Sequence, residues 1–291
     1  MMKKDYLIRG TALSNSVRFV CVDATETINY AQKIHNAYPT AIAGLGRVMI
    51  QNIMMSSLLK EKGDVSIKVN GNGKLSPIYS YCDSDLNIRA YCNNPDTHYD
   101  LNDKGKLDVK RAVGEVGQIF VTQNLDGKNM FTSTAEIVSG EIAEDFTHYY
   151  MQSEQIPTSV SLGVFVDVDN SVKNAGGFII QLLPFCSDEH IDILESKLLQ
   201  LKPITTLLRE GNSPEDIINN IFGDDYEILE KRNVSYKCNC SKDRFAKSLV
   251  TLGKNEISDL MLEENLETYC HFCNSKYYFT KDDLKEIYDS I

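Results

Sequence analysis

No apolar run in this chain reaches the length of a membrane-spanning helix, which excludes a simple transmembrane anchor. Positive charge is scarce beside negative charge: 30 Lys and Arg against 41 Asp and Glu leave a formal net charge of −11. That balance argues against broad binding to nucleic acid or to anionic membranes and suits a soluble protein. Lys3 and Lys4 open the chain, but Asp5, Arg9 and Asn15 follow where a secretory signal would place an apolar core. The expectation is a cytoplasmic protein, in which thiols are kept reduced. A nucleotide-binding loop is also missing. Asn70-Gly71-Asn72-Gly73 lacks the dinucleotide pattern and a following helix. It reads as a hairpin turn whose residues tolerate positive φ, and Ala175-Gly176-Gly177 reads the same way. His148 has no nucleophile beside it and reads as a partly buried structural residue, and the expectation is that the chain is not an enzyme.

What is present is a chain of 291 residues, long for one compact core and short for three domains. Its first ~180 residues read as one mixed unit. Strands are expected at Tyr6–Ile8, Val17–Val22, Val65–Val69, Ile78–Tyr81, Ile88–Cys92, Gln118–Thr122 and Phe131–Ile137. A hairpin over Val160–Val168 and Gly177–Leu183 follows. Helices are expected at Thr27–Ala37, Thr40–Glu61 and Gly140–Gln155. Gly44 and Gly46 weaken the second as an isolated helix, so it should depend on close packing, with Met49, Met54 and Met55 as core filler. From Pro184 to Tyr236 the pattern turns to short helices, including a start at Ser213-Pro214-Glu215-Asp216. Helices this short are marginal unless they pack against something.

Eight cysteines occur, and four fall within 36 residues near the end: Cys238-Asn239-Cys240 and Cys270-His271-Phe272-Cys273. Cys21, Cys82, Cys92 and Cys186 are scattered in apolar segments and read as small buried hydrophobes. Two close pairs separated by 29 residues are a strong zinc signal, since zinc takes four thiolates in a tetrahedron. His271 is superfluous to a four-sulfur set. Spacing alone leaves two roles open. One is a permanent structural ribbon. The other is a switch, in which oxidation turns close pairs into disulfides and the module loses the folding free energy of its metal. A Cys238–Cys240 ring is small and strained, so it should be readily reduced.

At these residues the chain resembles the heat-shock protein 33 family of redox-regulated chaperones. The matching pieces include Asp5-Tyr6-Leu7-Ile8-Arg9-Gly10-Thr11-Ala12, Pro39-Thr40-Ala41, Leu45-Gly46-Arg47 and Gly105-Lys106-Leu107-Asp108-Val109. Val138-Ser139-Gly140-Glu141-Ile142-Ala143-Glu144-Asp145, Gln152-Ser153-Glu154-Gln155-Ile156-Pro157 and Ala175-Gly176-Gly177-Phe178 continue the match, which ends on both cysteine pairs. The resemblance implies an α+β fold. Residues 1–183 would form a mixed α/β substrate-binding domain with curved antiparallel sheets, 184–236 a helical linker, and 237–291 a zinc-binding redox switch. It implies that Cys238, Cys240, Cys270 and Cys273 hold one zinc ion per chain when reduced. Oxidation would join Cys238 with Cys240 and Cys270 with Cys273, release zinc, and yield a homodimer that holds unfolded clients without ATP.

Two other classes compete. Lys237, Lys242, Arg244 and Lys247 near the first pair would suit a zinc-ribbon adaptor for nucleic acid or the translation machinery. Cys270 and Cys273 would suit a thiol–disulfide oxidoreductase, but the helix start typical of such motifs is not evident.

Overall fold

The computed structural model describes residues 4–125, 127, 129–184, 186–263 and 265–291. These divide into two compact units, Met1–Tyr236 and Lys237–Ile291.

The first unit begins with a hairpin of β1 (Tyr6–Ala12) and β2 (Val17–Asp23), followed by α1 (Thr25–His35) and α2 (Pro39–Ser57). Next come β3 (Gly63–Gly71), β4 (Ile78–Asp83), β5 (Asn87–Cys92), α3 (Val109–Val113), β6 (Gly117–Leu125) and β7 (Asn129–Glu136). Helix α4 (Ala143–Tyr149) runs into a π turn, Tyr150–Glu154, before β8 (Thr158–Val166) and β9 (Val172–Leu182). Helices α5 (Asp188–Gln200), α6 (Ile204–Arg209) and α7 (Pro214–Phe222) precede β10 (Tyr226–Asn233) and the short β11 (Ser235–Tyr236). The strands form a five-stranded sheet, β10-β1-β2-β9-β8, and a six-stranded one, β11-β5-β4-β3-β6-β7. Apart from the parallel β11–β5 pair, neighbours run antiparallel.

Helix α2 is apolar nearly all round, as a helix buried on every side must be, and it packs against strands of both sheets. Pro39 starts it, and Met49, Met54 and Met55 are buried core residues. Gly44 and Gly46 serve close approach: a Cβ would sit 2.6 Å from Leu75 Cδ2 at the first and 2.8 Å from Ile28 Cγ2 at the second. Several buried polar groups of α2 find partners inside the fold. Asn52 Nδ2 donates to Val65 O at 3.1 Å and to Ser80 Oγ at 3.0 Å, and Gln51 Nε2 donates to Tyr150 Oη at 3.0 Å.

Central strand β2 is covered on both faces. Val20 and Val22 join the α1–α2 core, while Val17, Phe19 and Cys21 point the other way, under α5–α7. The second core includes Leu194, Ile204, Leu207, Leu208, Ile217, Ile218 and Ile221 from those helices. Helix α7 starts as its sequence announced: Ser213 Oγ accepts from Asp216 N at 3.2 Å, and Asp216 Oδ2 accepts from Ser213 N at 2.8 Å. The sequence reading of 184–236 as helices missed β10, which is a strand of the five-stranded sheet.

Two other expectations need correction. Ala175-Gly176-Gly177 is not a turn but lies inside β9. Its glycines admit close neighbours, since a Cβ on Gly177 would sit 2.5 Å from Ser161 O and 2.9 Å from Ile50 Cγ2. Asn70-Gly71-Asn72-Gly73 does lead from β3 towards β4, but not with positive φ. Gly71 and Gly73 are needed because a Cβ would collide with Val113 O and Ala112 O.

Two matching segments of the sequence prove to be carboxylate caps. Asp145 is buried and accepts from the backbone N–H groups of Val138, Ser139, Gly140 and Ile142 at 2.7 to 3.2 Å. Asp5 accepts from Glu26 N at 3.1 Å and Thr27 N at 2.6 Å at the start of α1. No helix among the described residues is long and apolar enough to cross a membrane.

Candidate metal centre

The Lys237–Ile291 unit comprises α8 (Lys242–Val250), α9 (Lys254–Leu260), a hairpin of β12 (Leu266–Tyr269) and β13 (Lys276–Phe279), and α10 (Lys281–Ser290). Ser241 caps α8, accepting from Arg244 N at 3.3 Å. Thr280 and Asp283 form a capping box on α10, with Thr280 N donating to Asp283 Oδ2 at 2.7 Å and Asp283 N to Thr280 Oγ1 at 3.3 Å. Lys242 Nζ reaches both Asp283 oxygens, at 2.9 and 2.8 Å, and so ties α8 to α10. These hydrogen bonds hold the Asp283 carboxyl down at about 2. The buried core is small: Ile257, Phe279, Leu284 and Ile287.

The hairpin turn carries the second cysteine pair. Cys270 N donates to Ser275 O at 2.9 Å, closing the turn. The Cys270 carbonyl then accepts from Cys273 N at 3.2 Å and Asn274 N at 2.7 Å. Asn274 takes the left-handed region, φ 55°, which a short polar side chain tolerates. The turn brings Cys273 back beside Cys270. Cys238 and Cys240, on the segment before α8, complete the group.

All four Sγ atoms lie within 4.8 Å of one another. Cys238 Sγ is 3.7 Å from Cys270 Sγ, and Cys240 Sγ is 3.3 Å from Cys273 Sγ. A tetrahedron with metal–sulfur bonds of 2.3 Å has edges of about 3.8 Å, so the donor set fits one zinc-sized ion. Among the described residues this is the group of His, Cys, Asp and Glu side chains able to share a metal. His271 is not in it, and its ring lies 4.9 Å from that of Tyr269.

Two side chains that the sequence reading did not single out reach the sulfurs. Tyr277 Oη donates to Cys240 Sγ at 3.1 Å, and Ser275 Oγ lies 3.2 Å from Cys273 Sγ. Bonding to Cys240 pushes the Tyr277 phenol up to about 12. Burial raises Cys238 and Cys270 above the ordinary thiol. Burial also raises Cys273, but bonds from Ser275 and the neighbouring sulfurs outweigh it and bring that thiol to about 7. Four thiolates this close repel one another, and a divalent cation is the charge that lets all four ionise. Of the basic residues considered for nucleic acid, Lys242 is engaged with Asp283 and lies 5.2 Å from the Phe279 ring centre.

The other cysteines lie elsewhere. Cys21, Cys82 and Cys92 are buried in the first unit, and burial pushes their thiols up, Cys92 to about 12, so they are poor thiolates. Cys186 is half-buried beside the second core.

Comparison with known proteins agrees with this geometry. The family model described as Hsp33 protein matches residues 5–280. The 33 kDa chaperonin of Bacillus licheniformis is 44% identical over 288 residues, which span 99% of this chain and 100% of that protein. Its counterpart in Bacillus subtilis is 43% identical over 286 residues, 98% of each chain. The crystal structure of the 33 kDa chaperonin of Thermotoga maritima superposes with a TM-score of 0.92 at 34% identity, covering 99% of both chains.

Proposed function

The chain belongs to the Hsp33 family of chaperones, and from that premise we propose that it is a redox-switched holdase that binds unfolded proteins without ATP. The observation that carries the proposal is the four-sulfur cluster, whose atoms lie within 4.8 Å of one another in a unit with a four-residue buried core. Cys238, Cys240, Cys270 and Cys273 would hold one zinc ion in the reduced state. When bound, the metal keeps four thiolates together and contributes folding free energy to the unit.

Oxidation acts on the cysteines themselves. Each close pair, held as two thiolates, gives two electrons to one peroxide molecule, which takes two protons from solvent, forming a disulfide and two waters. Cys238 with Cys240 and Cys270 with Cys273 are the proposed pairs. Disulfides no longer offer four thiolates, so the unit loses the metal and the stability that came with it. Residues 184–236 are the proposed linker. Leu194 is the one buried side chain in α5, consistent with an element that loosens readily. Residues 1–183 would then hold clients, and the oxidised chain would dimerise in the cytoplasm.

The test measures zinc content and suppression of thermal client aggregation on the same samples, before and after hypochlorite. We expect one zinc per chain to leave as suppression appears, and Cys238→Ser to hold zinc poorly from the outset. Zinc loss with no change in aggregation would refute the chaperone switch.

A further inference from the structure

Strand β10 occupies a sheet edge that its own side chains do little to keep. It pairs with β1 at seven positions, from Tyr6 opposite Asn233 to Ala12 opposite Tyr226, yet none of its side chains is buried. A bulge opposite Arg9 and Gly10 leaves Leu229 without a partner on β1, and Leu229 is 62% exposed. Gly10 lets the backbones close, since a Cβ there would collide with Glu227 O. The pairing therefore rests on main-chain hydrogen bonds, on half-buried Tyr226 at the strand's start, whose ring centre lies 6.0 Å from that of Phe19, and on a clamp of charged side chains. Lys231 Nζ donates to Glu215 Oε1 at 2.7 Å and stands 3.9 Å from the Tyr6 ring centre. Tyr6 Oη donates to Glu215 Oε2 at 2.6 Å. Glu230 meets Arg9 at 2.5 Å, and Arg232 donates to Ser84 O. The clamp side chains are partly exposed, where such pairs are weak.

Strand β1 has anchors apart from β10: Leu7 is buried in the first core, and the other edge of β1 pairs with β2 over all seven residues. We propose that the β10-facing edge of β1 is a polypeptide-binding site, occupied by β10 at rest, to which an extended segment of an unfolded chain adds as a strand once β10 leaves. This rests on the holdase reading, which supplies the release. Strand addition takes its affinity from the backbone and asks little of the side chains. That suits a partner defined only by being unfolded. β10 itself shows that the edge accepts a strand with no buried side chain.

The probe is a synthetic peptide of the sequence from Asp225 to Ser235, with two derivatives N-methylated on alternate amides. Alternate N–H groups of a strand point to opposite edges, so only one derivative loses the bonds to β1. Full-length protein is studied reduced, after hypochlorite, and as the reduced Glu215→Gln/Lys231→Ala variant, which opens the clamp without oxidation. We expect the parent peptide to bind the oxidised protein and the variant but not the reduced wild type, and to displace a bound client. One methylated derivative should bind more than about tenfold more weakly, and the other should keep its affinity. Equal binding of both derivatives, or no peptide binding in either opened form, overturns the proposal. So does an opened form in which a second copy covers the β1 edge and excludes peptide. Hydrogen exchange and aggregation suppression on the same oxidised sample separate this idea from the one beneath it. Suppression with β10 amides still protected refutes strand addition alone. Zinc loss without suppression refutes the holdase, while the variant still reports on the edge.

Discussion

Truncating Leu284 to alanine removes one of the four side chains in the buried core of the Lys237–Ile291 unit, beside Ile257, Phe279 and Ile287. Leu284 is fully enclosed, so the change loses its transfer free energy and leaves a cavity, at about 3 kcal/mol within a usual range of about 2–5. A unit of about 55 residues has little stability of its own to lose. If the sulfurs make up the shortfall by holding zinc, folding and binding are one equilibrium, and the lost stability reappears as weaker zinc binding. At 1.4 kcal/mol per tenfold, 3 kcal/mol corresponds to about 140-fold. Chelator competition on the reduced full-length chain reads this directly. Leu262→Ala, at a side chain 81% exposed, is the control and should change affinity by less than about threefold. An unchanged zinc affinity in Leu284→Ala would refute the reasoning, because it would mean that the unit folds without help from its metal.

Three further outcomes follow from the geometry. Gly10→Ala would set a Cβ against Glu227 O and 2.7 Å from Phe19 Cζ, so it should displace β10 and speed hydrogen exchange of its amides in the reduced protein; unaltered exchange would contradict this. Burial raises the Asp5 carboxyl to about 6 from an ordinary 3.8, so the folded state holds this proton more tightly than the unfolded chain. Stability should therefore fall as pH rises from about 4 to about 6, by at most about 3 kcal/mol, and denaturant titrations of Asp5→Asn should lack that component. Asp283→Asn removes the carboxylate that Thr280 and Lys242 share, and should cost about 1 kcal/mol at neutral pH. Because Asp283 is held at about 2, its contribution is complete above pH ~4 and fades as pH falls towards 2, so thermal melts of parent and variant should converge in acid.

Elements with strong local signals were legible. Ser213-Pro214 starts a helix with its own side chain, and the methionines of α2 went to the core because nothing polar offered them another place. Glycines were the weak point. The reading assumed that Gly71, Gly73, Gly176 and Gly177 supply unusual φ, whereas each is small because another element passes close by. Closeness across elements is a property of the packed fold and leaves no mark on the neighbouring residues of the chain. Strand β10 was missed for a related reason: Glu227, Glu230, Lys231 and Arg232 break its apolar alternation, as an exposed edge strand allows.

By itself the sequence determined the donor chemistry, two close cysteine pairs, while the fold decided that the pairs meet, Cys238 beside Cys270 and Cys240 beside Cys273. It also determined the family, through segments such as the Asp145 cap whose hydrogen bonds are all local. Only the tertiary structure decided that Tyr277 bonds Cys240, 37 residues away, and that Tyr6, Glu215 and Lys231 meet to clamp β10. Tyr6 and Glu215 are 209 residues apart. Their hydrogen bond exists because β1 takes β10 on its edge and α7 packs beside it, an arrangement set by the burial of the second core.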